Sequence, residues 1–415
     1  MTRSTISRRA VVHAGLAASA ALVAGCATTA AKPRVVVLGG GWGGLGAART
    51  LARSGKVVVT LVEANDAFMS CPLSAHYIAG LQPATDFQRN YAAIDAMGIR
   101  RVRERASAID RAGSAVVTPG GRLPYDFLVL SPGIEYMDEA VSGYAEARAQ
   151  LPVGFRAFEQ SAVRAQVERF LANGGSFVIS VPKPPYRCPP APYERACLIA
   201  EQVRRRGVKG KVIVVDANPN PMPPPTAKPL VAAMRGYAAE LEYLPSTDLS
   251  AVDIGRRRLA TTMGDVPFTE ANLVLPMRAP GIIRQAGLGE RWAAIKLPSF
   301  LSQADEKIYV IGDAQGTPLP KSGHVAFGTG VQVGHDIVRR LSGEAAPAAS
   351  GPVSLPPGLC WASASHDKAI MISVGATVAP GEAPKMSFQI DPEANTASSQ
   401  GATAWGRTMW KNMLG

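Results

Sequence analysis

Arg34-Val35-Val36-Val37-Leu38-Gly39-Gly40-Gly41-Trp42-Gly43-Gly44 is the stretch from which the rest of the chain is read. Its run of four apolar residues, three of them β-branched, reads as a buried parallel strand. Gly39, Gly41 and Gly44 then give G-x-G-x-x-G ahead of a helix-like run at 45–54. The first glycine permits a tight turn and the second lets backbone approach a pyrophosphate. The third lets helix and strand pack closely, with the helix's first N–H groups turned to the phosphates. Taken alone the motif is weak, because ligand-free glycine turns are common. It gains from a second strand, 56–62, that ends in Glu63 about 20 residues on, where a carboxylate accepts hydrogen bonds from a ribose. The stretch therefore predicts a dinucleotide cradle built from Gly39, Gly41, Gly44 and Glu63.

Beyond a spacer at 27–33, one pattern occurs twice. The first copy holds strands 35–38 and 56–62, a hairpin around Pro119-Gly120-Gly121, and strand 127–130 stopped by Ser131-Pro132-Gly133. The second holds strand 177–181, strand 211–215 ending in Asp216, a hairpin around 255–258, and strand 273–275 stopped by Pro276. Two dinucleotide-fold halves are expected. In the second, Lys183-Pro184-Pro185-Tyr186-Arg187-Cys188-Pro189-Pro190 stands where the glycine loop belongs, and prolines without N–H groups cannot cradle a pyrophosphate. That half is expected to bind no nicotinamide nucleotide, so the electron donor needs no nucleotide pocket.

A further buried strand, 307–311, ends in Gly312-Asp313 before a helical pattern at 323–340. A carboxylate there suits a flavin ribityl hydroxyl, with a helix N-terminus near the ring; the alternative is a turn aspartate that caps the next element. FAD is the expected cofactor. The expected fold is α/β: two Rossmann-like, glutathione-reductase-like domains plus a small α+β C-terminal domain. The FAD-binding domain is discontinuous, 33–140 with 281–345, the second domain spans 141–280, and the C-terminal domain spans 351–415 after a proline- and alanine-rich stretch. Trp405, Met409, Trp410 and Met413 recur at helical spacing near the end, which suits core or interface packing, with a membrane-surface helix as the alternative.

With 415 residues and 47% hydrophobic content, the chain can bury a sizeable core and is neither fibrous nor disordered. Its 44 basic and 32 acidic residues give +12, still basic without Arg3, Arg8 and Arg9. The runs 204–206 and 256–258 have no nucleic-acid motif beside them and read as solvated faces, so no nucleic-acid partner is expected. Residues 1–26 read as a targeting segment. Ser7-Arg8-Arg9-Ala10-Val11-Val12, ahead of a short apolar run, resembles a twin-arginine signal, and the run is too short to span a membrane comfortably. Val23-Ala24-Gly25-Cys26 resembles a lipobox, which makes Cys26 the candidate for a lipid anchor; ordinary cleavage nearby is the alternative. Export of a folded, cofactor-loaded protein to the bacterial periplasm is expected, a compartment that permits disulfides.

Four cysteines follow Cys26. Cys71 lies in a loop just after Glu63, Cys188 on the proline-rich loop, and Cys360 at the opening of the C-terminal segment. Cys197 sits in an apolar helical run and reads as buried and inert. Cys188, Cys197 and Cys360 allow three pairings, and spacing does not choose among them. A disulfide facing a flavin is redox-competent: a thiolate-type nucleophile opens it, and the freed thiolate can pass on two electrons. The other use is a staple between parts of the chain.

On Ser70-Cys71-Pro72-Leu73-Ser74, residues 125–133, Pro185-Tyr186-Arg187-Cys188-Pro189-Pro190-Ala191-Pro192-Tyr193-Glu194-Arg195, Val310-Ile311-Gly312-Asp313, Pro320-Lys321-Ser322-Gly323 and Cys360, the chain resembles the flavoprotein subunit of flavocytochrome c sulfide dehydrogenase. That family lies in the sulfide-oxidising branch of the pyridine-nucleotide-disulfide-reductase-like flavoproteins. The resemblance implies that Cys71 forms a thioether to the flavin 8α-methyl group. It implies that Cys188 and Cys360 form a redox disulfide, attacked by hydrosulfide to give a persulfide. Glu194 is implied as proton acceptor, its other use being a pair with Arg195 or Arg187. Lys321 is a cation for a reduced, anionic flavin or else a surface lysine. A c-type cytochrome subunit is the implied partner, because no C-x-x-C-H occurs in the chain. The net positive charge favours an acidic or neutral cytochrome. Ala75-His76 departs from the family's usual asparagine, and the chain diverges from Trp361 onward. The expected function is periplasmic oxidation of sulfide to polysulfide or sulfur. A sulfide:quinone oxidoreductase at the membrane surface is the first alternative, and a lipid-anchored, non-enzymatic flavin-binding protein the second. No metal is expected.

Overall fold

Buried Val35, Val36 and Val37 hold the strand Arg34–Leu38 between two parallel neighbours, Val58–Val62 and Phe127–Leu130. The computed structural model describes residues 31–345 and 351–415, so the twin-arginine segment and Cys26 lie outside the described residues. This first sheet has seven strands, in the order 295–296, 301–302, 308–310, 127–130, 34–38, 58–62 and 100–102. Strand Ile308–Val310, from beyond the second repeat, pairs parallel to Phe127–Leu130. Helix Trp42–Arg53 follows the first strand and packs along helix Gly323–Leu341. Their approach depends on glycine: a Cβ on Gly330 would lie 2.1 Å from the Gly43 carbonyl. Both helices start at the same end of the sheet, so both present N-terminal N–H groups there.

A second sheet is all-parallel, in the order 241–244, 210–216, 175–181, 270–273. Its last strand runs Glu270–Leu273 rather than 273–275; Val274 and Leu275 stay buried but leave the ladder toward Pro276. A third, antiparallel sheet places Gly358–Ser363 and Lys385–Ile390 against the long strand Ala369–Val378. Helix Thr396–Leu414 crosses it, capped by Asn395, whose side chain accepts from the Ser398 N–H at 2.8 Å. Met409, Trp410, Met413 and Leu414 are buried in the core of the first sheet, and Trp405 stacks on Trp42 with centroids 5.4 Å apart. The apolar stripe is thus used internally. Among the described residues no helix is long and apolar enough to cross a membrane.

Candidate active site

At the end of the first strand, Gly39 takes φ +100°, and a Cβ there would lie 2.2 Å from the Ser131 carbonyl. A Cβ on Gly44 would lie 1.7 Å from the Gly39 carbonyl, whereas one on Gly41 would meet nothing within 4 Å. The two outer glycines therefore serve backbone packing, and the middle one faces open space. Glu63 closes the cradle: one carboxylate oxygen accepts from the Gly40 N–H at 2.7 Å, the other from the Asn65 backbone and side-chain N–H groups at 2.7 Å each. Gly39 and Glu63 line a cleft of about 670 Å³ together with Arg156, Arg187 and Gln285. Gly312, at φ +65°, turns the chain after strand Ile308–Val310 and sets Asp313 in a short 3₁₀ turn. One Asp313 oxygen pairs with Arg187 Nε at 3.0 Å, and the other is buried without a partner. An open glycine position, the cleft and an orphaned carboxylate oxygen fit FAD.

Next to the cleft, a small cavity of about 50 Å³ gathers residues far apart in sequence. Cys71, Cys188, Glu194, Arg195, Lys321 and Cys360 all line it, and Arg187 lines both spaces. Trp361, Trp405 and His324 complete the wall. Cys71 follows buried Ser70, whose hydroxyl donates to the Pro72 carbonyl, and its sulfur lies 3.1 Å from Gln160 Nε2 and 3.5 Å from the Phe155 carbonyl. Cys188 adopts φ +51°, a left-handed conformation disfavoured for a residue with a side chain. It is held there by its N–H, which donates to the Lys321 carbonyl at 3.0 Å, and by its carbonyl, which caps Ala191 at 3.0 Å. Cys188 and Cys360 are free thiols in this structure, as are Cys71 and Cys197. Cys197 points into the second core, away from the cavity, as an inert cysteine would.

Burial pushes the Cys188 thiol up to about 12, and nearby Glu194 adds to the rise, while Arg187 and Arg195 oppose it. Burial raises Cys360 as well, with Cys188 and Glu194 adding, and no cation offsets it. The two sulfurs are thus unequal, with the positive charge on the Cys188 side. Glu194 is pushed up to about 7 by burial, against the Ser363 N–H and hydroxyl and Arg195, which pull it down. Its carboxylate accepts from the Ser363 N–H at 3.1 Å. Neither arginine is its ion-pair partner. Arg187 pairs with Asp313 and donates to the Phe155 carbonyl at 2.6 Å; Arg195 is spent on the Val153 and Gly154 carbonyls and Asn272. Lys321 is no surface lysine: it is 4% exposed and donates to the Asp313 and Gln315 carbonyls at 2.9 Å each. Its ammonium sits 3.6 Å from the Trp292 ring centroid. Burial lowers it to about 8, with Asp313 opposing and Arg291 adding to the fall.

Sequence reasoning missed Gln160 and underrated Arg187. Gln160 carries no motif, and its signal exists only once helix Gln160–Asn173 is set beside the Cys71 loop. His76, the departure from the family pattern, is partly buried in the helix Ala75–Ile78, and burial lowers its pKa.

In the second half the equivalent strand-end carboxylate is already occupied. Asp216, at the end of strand Gly210–Asp216, is fully buried. One of its oxygens accepts from Tyr193 and Tyr243 at 2.7 and 2.9 Å, the other from the Asn218 N–H and side-chain amide at 2.9 and 2.8 Å. Four donors saturate a carboxylate and leave nothing for a ribose.

Residues 160–276 match the family model of the sulfide dehydrogenase (flavocytochrome c) flavoprotein chain, central region, and residues 33–175 match that of pyridine nucleotide-disulphide oxidoreductases. Mouse mitochondrial sulfide:quinone oxidoreductase is 20% identical over 317 residues, covering 72% of this chain and 69% of that protein. The Dictyostelium discoideum mitochondrial enzyme of the same name is 24% identical over 183 residues, 43% of this chain and 40% of that one. The crystal structure of sulfide:quinone oxidoreductase from Aquifex aeolicus superposes with a TM-score of 0.77 at 18% identity, covering 92% of this chain and 91% of the other, so the two share a fold.

Proposed function

We propose, for a chain that is a sulfide-oxidising flavoprotein of the flavocytochrome c sulfide dehydrogenase and sulfide:quinone oxidoreductase kind, that hydrosulfide is oxidised at Cys188 and Cys360 in the periplasm and that the electrons leave for a c-type cytochrome. The carrying observation is that Cys71, Cys188, Glu194, Lys321 and Cys360, drawn from separate segments, line one cavity beside the dinucleotide cleft. FAD, when bound, supplies an acceptor that takes electrons in pairs and releases them singly. Gly41 and Glu63 would hold its nucleotide half, in a turn that Gly39 and Gly44 let close, Gly312 and Asp313 would hold its ribityl chain, and Cys71 would tether its ring as a thioether.

The oxidised resting form carries a Cys188–Cys360 disulfide. Hydrogen sulfide gives up a proton and attacks one sulfur as hydrosulfide, a new S–S bond forms as the old one breaks, and a persulfide and a thiolate result. Arg187 and Arg195 lie on the Cys188 side and favour a thiolate there. Glu194, poised near 7, takes the proton given up by the attacking sulfide. Lys321 holds positive charge at the cavity wall, where negative charge collects on reduction. Denaturation tests the thioether: flavin that stays with the protein supports it, and release into the supernatant refutes it.

A quinone acceptor is the second reading, favoured by the likeness to the mouse and Aquifex enzymes. It leaves Cys71 without a role. Turnover with sulfide, offered cytochrome c against a soluble quinone, separates the two.

A further inference from the structure

We propose that Glu201 is a positioning residue that clamps the strand carrying Cys360 onto the helix that follows Cys188, so that the two sulfurs stay together while their disulfide is open; this rests on the reading of Cys188 and Cys360 as a redox pair. Helix Ala191–Arg206 begins three residues after Cys188. Glu194 and Glu201 are seven residues apart on it, two turns, and so share a face. Both are buried, 6% and 7% exposed. Each spends a carboxylate oxygen on a backbone N–H at the end of the Cys360 strand. Glu194 accepts from Ser363, and Glu201 accepts from His366 at 2.8 Å. The second Glu201 oxygen lies 2.6 Å from His366 Nδ1. Tyr237 adds a third tie, donating to the Ala364 carbonyl at 3.0 Å.

No lysine or arginine pairs with Glu201 among the described residues, and a carboxylate this buried needs partners. Its partners come from the turn between Gly358–Ser363 and Ala369–Val378, so its charge-assisted bonds are spent on docking that hairpin. While the S–S bond is closed, the strand is held covalently. Once it opens, the effective concentration of one thiol at the other depends on these non-covalent ties, and that concentration sets how strongly the disulfide re-forms. Glu194 faces the cavity and serves its chemistry; Glu201, two turns further from Cys188, lines no part of it.

The test equilibrates the flavin-loaded, full-length protein anaerobically with mixtures of reduced and oxidised dithiothreitol. Dithiothreitol closes to its cyclic disulfide as Cys188–Cys360 takes two electrons and two protons. Alkylation at Cys188 and Cys360, read by peptide mass, then gives the equilibrium constant. Glu201→Ala is expected to move it about tenfold toward the dithiol, about 30 mV less negative. Glu201→Gln, which keeps an acceptor for the His366 N–H, is expected to stay within about threefold of wild type. Where Glu201→Ala does not fold, His366→Ala removes the ring contact alone and is expected to shift the constant the same way. A wild-type constant in the folded alanine variants overturns the clamp. A wild-type protein that forms no Cys188–Cys360 disulfide at any mixture overturns the redox-pair reading, and the clamp with it.

Discussion

The two parallel sheets follow one plan yet end in opposite ways. In the first, strand Val58–Val62 leads to Glu63, whose oxygens accept from three N–H groups and which lines a cleft of about 670 Å³. In the second, strand Gly210–Asp216 ends in an aspartate that four donors saturate. The first opens its glycine loop at Gly41; the second fills the same place with prolines and sets Cys188 among them. One copy leaves its strand-end carboxylate beside an open cleft, and the other sets Cys188 at the wall of a small cavity. The lesson is that a dinucleotide fold is a scaffold whose strand ends decide its use.

Substitution at Gly44 breaks the comparison most severely. Gly44→Ala drives a methyl group into the Gly39 carbonyl, and the clash exceeds the usual overpacking cost of about 1–3 kcal/mol because backbone cannot swing aside. Its flavin-to-protein absorbance ratio is expected to fall to near zero. Glu194→Gln is next. A carboxyl poised near 7 accepts a proton only above that pH, so sulfide-driven flavin reduction in wild type is expected to rise as pH passes about 7. The variant is expected to be about a hundredfold slower above it. Stopped-flow traces across pH measure both, and the ionisation of sulfide itself, common to the two proteins, cancels in their ratio.

Arg187→Lys keeps the charge but loses the geometry that reaches Asp313 and the Phe155 carbonyl together. About a tenfold loss in flavin reduction is expected, with Cys188 alkylation shifted to higher pH. Tyr243→Phe is the mildest. It removes one of four donors to Asp216 and is expected to cost about 1 kcal/mol in thermal unfolding. Because the other three donors and the prolines remain, NADH is expected to leave the flavin oxidised in variant and wild type alike.

Much of the first sheet was legible because glycine spacing and a terminal carboxylate are local signals. Helix Thr396–Leu414 was legible as periodicity, although only the packing of Trp405 on Trp42 shows that its stripe faces the core. The cavity was harder to read. Cys71, Cys188 and Cys360 stood out by residue type and by family resemblance, yet their meeting depends on how three sheets are laid together. Arg187 was visible only as a neighbour of Cys188; its pair with Asp313 joins segments over a hundred residues apart, which no periodicity encodes. The sequence likewise leaves Glu194 an arginine partner as an alternative, whereas Arg195 is committed to backbone carbonyls and Asn272.

Sulfur chemistry at Cys188, from the second half, and Cys360, from the C-terminal segment, should drain into the first half's flavin. An anaerobic titration of the purified protein with sulfide, followed by flavin absorbance, tests it most directly. Bleaching at stoichiometric sulfide in wild type, abolished in Cys188→Ser and in Cys360→Ser, is the predicted result. A flavin that stays oxidised with excess sulfide, while dithionite still reduces it, would contradict the account.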